Sequence, residues 1–78
     1  MEKITQEEAL SLLQGEMSKK ELSEQLGLSL TTLRQYRTGA RSLQGPQRLL
    51  FQLLISAQRE GRLEELLTAS KEIDISPQ

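Results

Sequence analysis

Three features of this 78-residue sequence predict an all-α fold, a compact bundle of five helices. Apolar residues recur at three- and four-residue spacing, and no stretch alternates with period two. β-Branched residues are scarce. Thr, Ser or Pro opens most of the apolar segments and Gly closes them, which is the punctuation of helices.

Each element has its own signal. Thr5 with Glu8 makes a capping box, opening a first helix over 6–14 that Gly15 stops and whose Leu10 and Leu13 face inward. Ser18 with Glu21 is a second box, opening a helix that carries Leu22 and Leu26 on one face and ends at Gly27. Ser29 caps a third helix, 30–38, closed by Gly39. After a loop, Pro46 stands at the first position of a fourth helix, 46–60, where its missing N–H costs nothing. That helix carries Leu49, Leu50, Phe51, Leu53, Leu54, Ile55 and Ala57, more than one stripe, so two buried faces are expected. Gly61 interrupts, and Leu63, Leu66 and Leu67 predict a fifth helix that ends at about Ser70 or Glu72, within 63–72, followed by a frayed tail, 73–78. Residues 1–72 read as one domain, with no repeat and no linker.

Composition narrows the chemistry. With 36% apolar and 27% charged residues the chain is globular rather than disordered, and its short length gives a small core. Tyr36 and Phe51 are the only aromatics, too few for a base-stacking platform. Without histidine or cysteine there are no imidazole or thiol nucleophiles, no zinc site of the usual kind and no disulfide. Acids are absent from 25–59 and the only aspartate is Asp74, so a metal-dependent nuclease lacks its carboxylates. No enzyme activity and no cofactor are expected. No apolar run reaches the roughly 20 residues of a membrane span, and no signal-peptide pattern opens the chain, so a cytoplasmic location is the expectation.

The net charge of −1 conceals a division along the chain. Residues 1–24 carry six acids against three lysines, a net −3, and residues 60–78 carry five acids against Arg62 and Lys71, again −3. Between them, Arg34, Arg37, Arg41, Arg48 and Arg59 face no acid in sequence, a net +5. Solvated surfaces ordinarily mix signs, so this segment calls for an anionic partner.

Two short helices joined by a glycine-containing turn and followed by a basic loop form the helix-turn-helix pattern, here over 19–39. Leu22, Leu26, Leu28, Leu33 and Tyr36 are the positions that must be apolar for the two helices to lock. Gly27 stands where the backbone must turn left-handed, and small Ser23 where the helices approach most closely. The run from Lys19-Lys20-Glu21-Leu22-Ser23 through Gly27-Leu28-Ser29-Leu30 to Tyr36-Arg37-Thr38-Gly39 resembles the lambda-repressor-like family of Cro and phage-repressor-type regulators. The match covers 21 residues, with the architecture extending over about 5–60. Two positions depart from the family: Ser23, where most members have alanine, and Leu30, where relatives often carry a polar residue such as glutamine. The resemblance implies a five-helix bundle, commonly homodimeric, whose third helix enters the DNA major groove.

The residues support that reading independently. At 100° per residue, Thr31, Arg34, Gln35 and Thr38 share an arc of about 100° opposite Leu33, a polar stripe free of acids and one helix wide. Gln35 can pair bidentately with adenine, Arg34 with guanine or a phosphate, and Thr31 with a base edge or a thymine methyl. Leu30 has two readings, as a thymine-methyl contact or as core. The resemblance points to the positions of Leu30, Thr31 and Gln35 as base readers, and to Lys19, Lys20 and Thr38 as backbone contacts. Arg37, Arg41 and Ser42, around the end of the third helix, join them as phosphate contacts that fix register. Arg48 and Arg59 suit either DNA or intersubunit ion pairs. Leu50, Leu53 and Leu54 are the candidate dimer seam, or else core beneath the first and fifth helices.

The function expected is a sequence-specific transcriptional regulator, a homodimeric repressor of a phage, plasmid or mobile-element operon, on an inverted-repeat double-stranded operator. The alternative is an antitoxin or adaptor whose main role is to bind a partner protein.

Overall fold

The computed structural model describes residues 2–77, so Met1 and Gln78, the outer ends of the predicted domain and tail, lie outside the described residues. Five helices follow in order: α1 (Gln6–Gln14), α2 (Lys19–Leu26), α3 (Leu30–Thr38), α4 (Gly45–Arg59) and α5 (Leu63–Ser70). No strand occurs among the described residues. The radius of gyration is 12.6 Å, that of a compact globule.

The first three helices start where short polar side chains satisfy orphan backbone donors. Thr5, Ser18 and Ser29 accept from the N–H groups of Glu8, Glu21 and Thr32 at 3.0, 3.1 and 3.0 Å. Each such cap stabilises its helix by about 1 kcal/mol. The two capping boxes are closed on one side only. The carboxylates of Glu8 and Glu21 accept from the cap hydroxyls, at 3.3 and 3.4 Å, rather than from the cap N–H groups.

The ends of α2 and α4 are reversals built on glycine. Gly27 has φ +70°, and beyond it the Leu28 N–H donates to the Ser23 carbonyl at 3.0 Å. Gly61 at φ +72° does the same for α4, with the Arg62 N–H on the Ala57 carbonyl at 2.8 Å. A side chain in this left-handed conformation costs roughly 1–2 kcal/mol, and glycine avoids that cost.

Two boundaries differ from the sequence expectation. The span 46–60 becomes Gly45–Arg59, because the Arg48 N–H reaches the Gln44 carbonyl and draws Gly45 into the first turn. Of the two ends expected for the fifth helix within 63–72, the structure takes the earlier, giving Leu63–Ser70. Beyond it the N–H groups of Lys71, Glu72 and Ile73 bond carbonyls three residues back, the tighter pattern in which helices taper off. Ile73 and Ile75 in the tail are exposed.

The core is drawn from α1 to α4: Ala9, Leu10, Leu13, Leu22, Leu33, Tyr36, Phe51 and Ile55. Leu26, Leu28, Leu43, Leu54 and Leu63 pack around it. The Tyr36 and Phe51 rings meet edge to face, centroids 6.1 Å apart, a geometry worth about 0.5–1.5 kcal/mol beyond area burial. Helix α1 is the centre of the bundle, packed against α2, α3 and α4, whereas α5 has no buried residue and rests on α4. Ser23 is the polar member of the buried set, and its hydroxyl is satisfied by the Lys20 carbonyl at 2.6 Å.

Candidate nucleic-acid interface

The N-terminal turn of α2 and the flank of α3 that carries Leu30, Leu33, Arg34 and Arg37 border one cleft of about 390 Å3, which Lys19 and Lys20 complete and which does not include Thr31, Gln35 or Thr38. Four of the six lining residues are cations and none is an acid. The ion pairs among the described residues lie elsewhere, joining Arg59 to Glu2 and Arg62 to Glu60. None of the four cations of the cleft has an ion-pair partner among the described residues. Its floor is apolar, supplied by buried Leu33 and by Leu30, which is 50% exposed. Leu30 is thus outside the core.

Thr31, Arg34 and Thr38 are exposed along α3, and Arg41 and Ser42 are exposed in the loop that follows. The Thr38 hydroxyl turns back on the Gln35 carbonyl at 3.4 Å. Gln35 departs from the simple stripe. It is half-buried, and its Oε1 is covered without a hydrogen-bond partner. A bidentate grip on adenine needs both the amide oxygen and the amide nitrogen, so the Gln35 side chain must rotate outward to make one.

Arg37 is held in place from α1. Its Nη2 donates to Gln14 Oε1 at 2.7 Å, while Gln14 Nε2 donates to the Met17 carbonyl at 2.9 Å. One glutamine therefore ties together the end of α1, the turn before α2 and the guanidinium that borders the cleft. A second glutamine does the same for the loop after α3. Gln6 Nε2 donates to the carbonyls of Tyr36 and Arg41 at 2.6 and 2.7 Å, and its Oε1 accepts from the Leu43 N–H at 3.1 Å. The Arg41 N–H also bonds the Gln35 carbonyl at 3.1 Å. Arg41 and Ser42 thus sit on a loop fastened at three backbone groups. Sequence reading singled out neither glutamine, since each looks like ordinary helix surface and its partners lie far along the chain or on its backbone.

The uninterrupted basic segment 25–59 does not form one patch. Arg34 and Arg37 join Lys19 and Lys20, whereas Arg48 and Arg59 line a different cleft together with Glu2, Lys3 and Glu60. Arg59 is held there by a bidentate pair with Glu2. The Arg59 guanidinium, chiefly by hydrogen bonding and then by its charge, holds the Glu2 carboxyl below the usual carboxylate range.

On α4, Leu50 and Leu53 of the candidate seam are exposed, at 42% and 59%, and Leu49 beside them at 56%. Leu54 instead packs against the core, because it lies toward the Phe51 and Ile55 side of the helix. The exposed leucines of α4 are therefore Leu49, Leu50 and Leu53. Among the described residues, no helix is long and apolar enough to cross a membrane. Among the described residues, no group of three or more His, Cys, Asp or Glu is placed to hold a metal ion.

Comparison of the chain with family models, with curated proteins and with solved structures returns no match in any of the three.

Proposed function

We propose that the chain is a sequence-specific double-stranded-DNA-binding regulator, a homodimeric repressor that inserts α3 into the major groove as the second helix of a helix-turn-helix. The observation that carries the reading is the convergence of Lys19, Lys20, Arg34 and Arg37 on one acid-free cleft beside the exposed face of α3. Phosphates on either side of a groove are the polyanion such a face is built to meet, and a groove about 12 Å wide admits one helix. Thr31, Arg34 and Gln35 then read base edges, while Lys19, Lys20, Arg37, Thr38, Arg41 and Ser42 set register on the backbone.

One such unit contacts too few bases for useful specificity, which supports pairing through the exposed leucines of α4. A two-fold dimer requires an inverted-repeat operator with half-site centres about 34–36 Å apart. Occupying the operator is sufficient to block polymerase access to a promoter that overlaps it.

The test is fluorescence-anisotropy binding to the duplex immediately upstream of the chain's own gene and to a scrambled duplex, at two salt concentrations. A preference of about tenfold or more for the native duplex is expected. With about six to eight phosphate contacts per dimer, the slope of log K against log salt is expected near −5 to −7. Equal weak binding to both duplexes, together with a partner protein recovered in pull-down, overturns the reading in favour of the adaptor alternative.

A further inference from the structure

We propose that Leu30 reads the 5-methyl group of a pyrimidine, so that each half-site carries a methyl-bearing base at a fixed position. The inference rests on the DNA-binding reading above and specifies what that same face selects. Leu30 is a large apolar side chain, half exposed, at the first position of α3. Single exposed leucines are common and need no explanation. This one is unusual in its surroundings, because Lys19, Lys20, Arg34 and Arg37 border the same cleft. An apolar protein surface laid over Leu30 would bury those cations without partners, which is prohibitive. Water leaves the cations solvated but Leu30 uncovered. A DNA major groove meets both demands, with phosphates at its edges for the cations and the pyrimidine C5-methyl as the apolar group on its floor.

A leucine cannot donate or accept a hydrogen bond, so its selection differs in kind from that of Gln35 or Arg34. It distinguishes thymine from uracil and 5-methylcytosine from cytosine, but is indifferent to the hydrogen-bonding edge beside the methyl. Modification of a cytosine at this position strengthens binding.

The experiment starts from a duplex enriched from a random library by the full-length chain. Each thymine is replaced in turn by deoxyuridine, and binding is measured by anisotropy for the wild type, Leu30→Ala and Thr31→Ser, with folding of each checked by circular dichroism. One thymine per half-site is expected to show a loss of about fourfold on removal of its methyl, the value of one buried methyl group. That loss disappears in Leu30→Ala and persists in Thr31→Ser. At the same position, 5-methylcytosine binds about fourfold better than cytosine.

If uracil is accepted at every position, or if Leu30→Ala remains fully sensitive to uracil, methyl reading by Leu30 is wrong while DNA binding stands. If no duplex is enriched from the library, the DNA-binding reading and this inference fall together.

Discussion

The side-chain amide of Gln6 lies 2.7 Å from the carbonyl oxygen of Arg41, thirty-five residues along the chain. The same amide group bonds the Tyr36 carbonyl and the Leu43 N–H, so the first turn of α1 fixes the backbone that carries Arg41 and Ser42. Replacing Gln6 by alanine frees three backbone groups at a half-buried site. Folding stability is expected to fall by about 1–3 kcal/mol in urea titration. On the proposed function the loop holds phosphate contacts rather than base readers, so affinity for cognate and random duplexes is expected to fall by similar factors. Gln6→Glu loses both donors to carbonyl oxygens and should fare no better. Unchanged stability in both variants would show that the clamp carries no weight.

Gln35 offers the opposite combination. Its covered Oε1 lacks a partner, and an unsatisfied buried acceptor opposes folding. Gln35→Met retains the length of the side chain and removes the orphaned oxygen. The midpoint of thermal unfolding is expected to stay level or rise, while affinity for the cognate duplex falls by about 1–3 kcal/mol and random-sequence binding changes little. Equal losses on both DNAs would take Gln35 out of the base-reading set.

The exposed leucines of α4 can be separated from the core beneath them. Leu50 and Leu53 are 42% and 59% exposed, against 2% for Phe51 on the same helix. The double substitution Leu50→Glu with Leu53→Glu should therefore leave the monomer folded. Sedimentation is expected to show dimer for the wild type and an 8.8 kDa species for the variant, with cognate binding greatly weakened. A variant that still sediments as a dimer would place the seam elsewhere. Phe51→Ala is the contrasting control, expected to cost about 3–5 kcal/mol, a large share of the stability of so small a domain.

The Glu2–Arg59 pair gives a pH signature. Its hydrogen bonds hold the Glu2 carboxyl below the usual range in the folded state, so the pair adds stability at neutral pH. That contribution is lost as pH falls through the lowered value, where the carboxyl takes up its proton. Because the pair is fully solvated the effect is small. Wild type is expected to exceed Glu2→Gln in denaturant midpoint at pH 7, and the difference should vanish in acid. A difference of the same size at both pH values would assign it to something other than this carboxylate.

The five helices could be read from the sequence because their boundaries are local events. A hydroxyl at Thr5, Ser18 or Ser29 meets an N–H three residues later, and a glycine at 27 turns left-handed, whatever the rest of the chain does. The positions of Leu10, Leu13, Leu22, Leu33 and Tyr36 in the core follow from the same short-range periodicity. The first turn of α4 begins one residue earlier than the sequence predicts, where no side-chain cap marks the start.

What periodicity could not supply is which of the arginines share a surface. In sequence, Arg34, Arg37, Arg48 and Arg59 belong to one acid-free run, yet packing sends the first two to Lys19 and Lys20 and hands Arg59 to Glu2. Nor could it find Gln6 and Gln14, whose value lies entirely in backbone and side chains that α1 meets only once the bundle has closed. The sequence by itself determined the helices and their inward faces, because those depend on residues three or four apart. Only the tertiary structure decided the cleft, the exposure of Leu30 and the exposed leucines of α4, because those depend on how separate helices are oriented against one another.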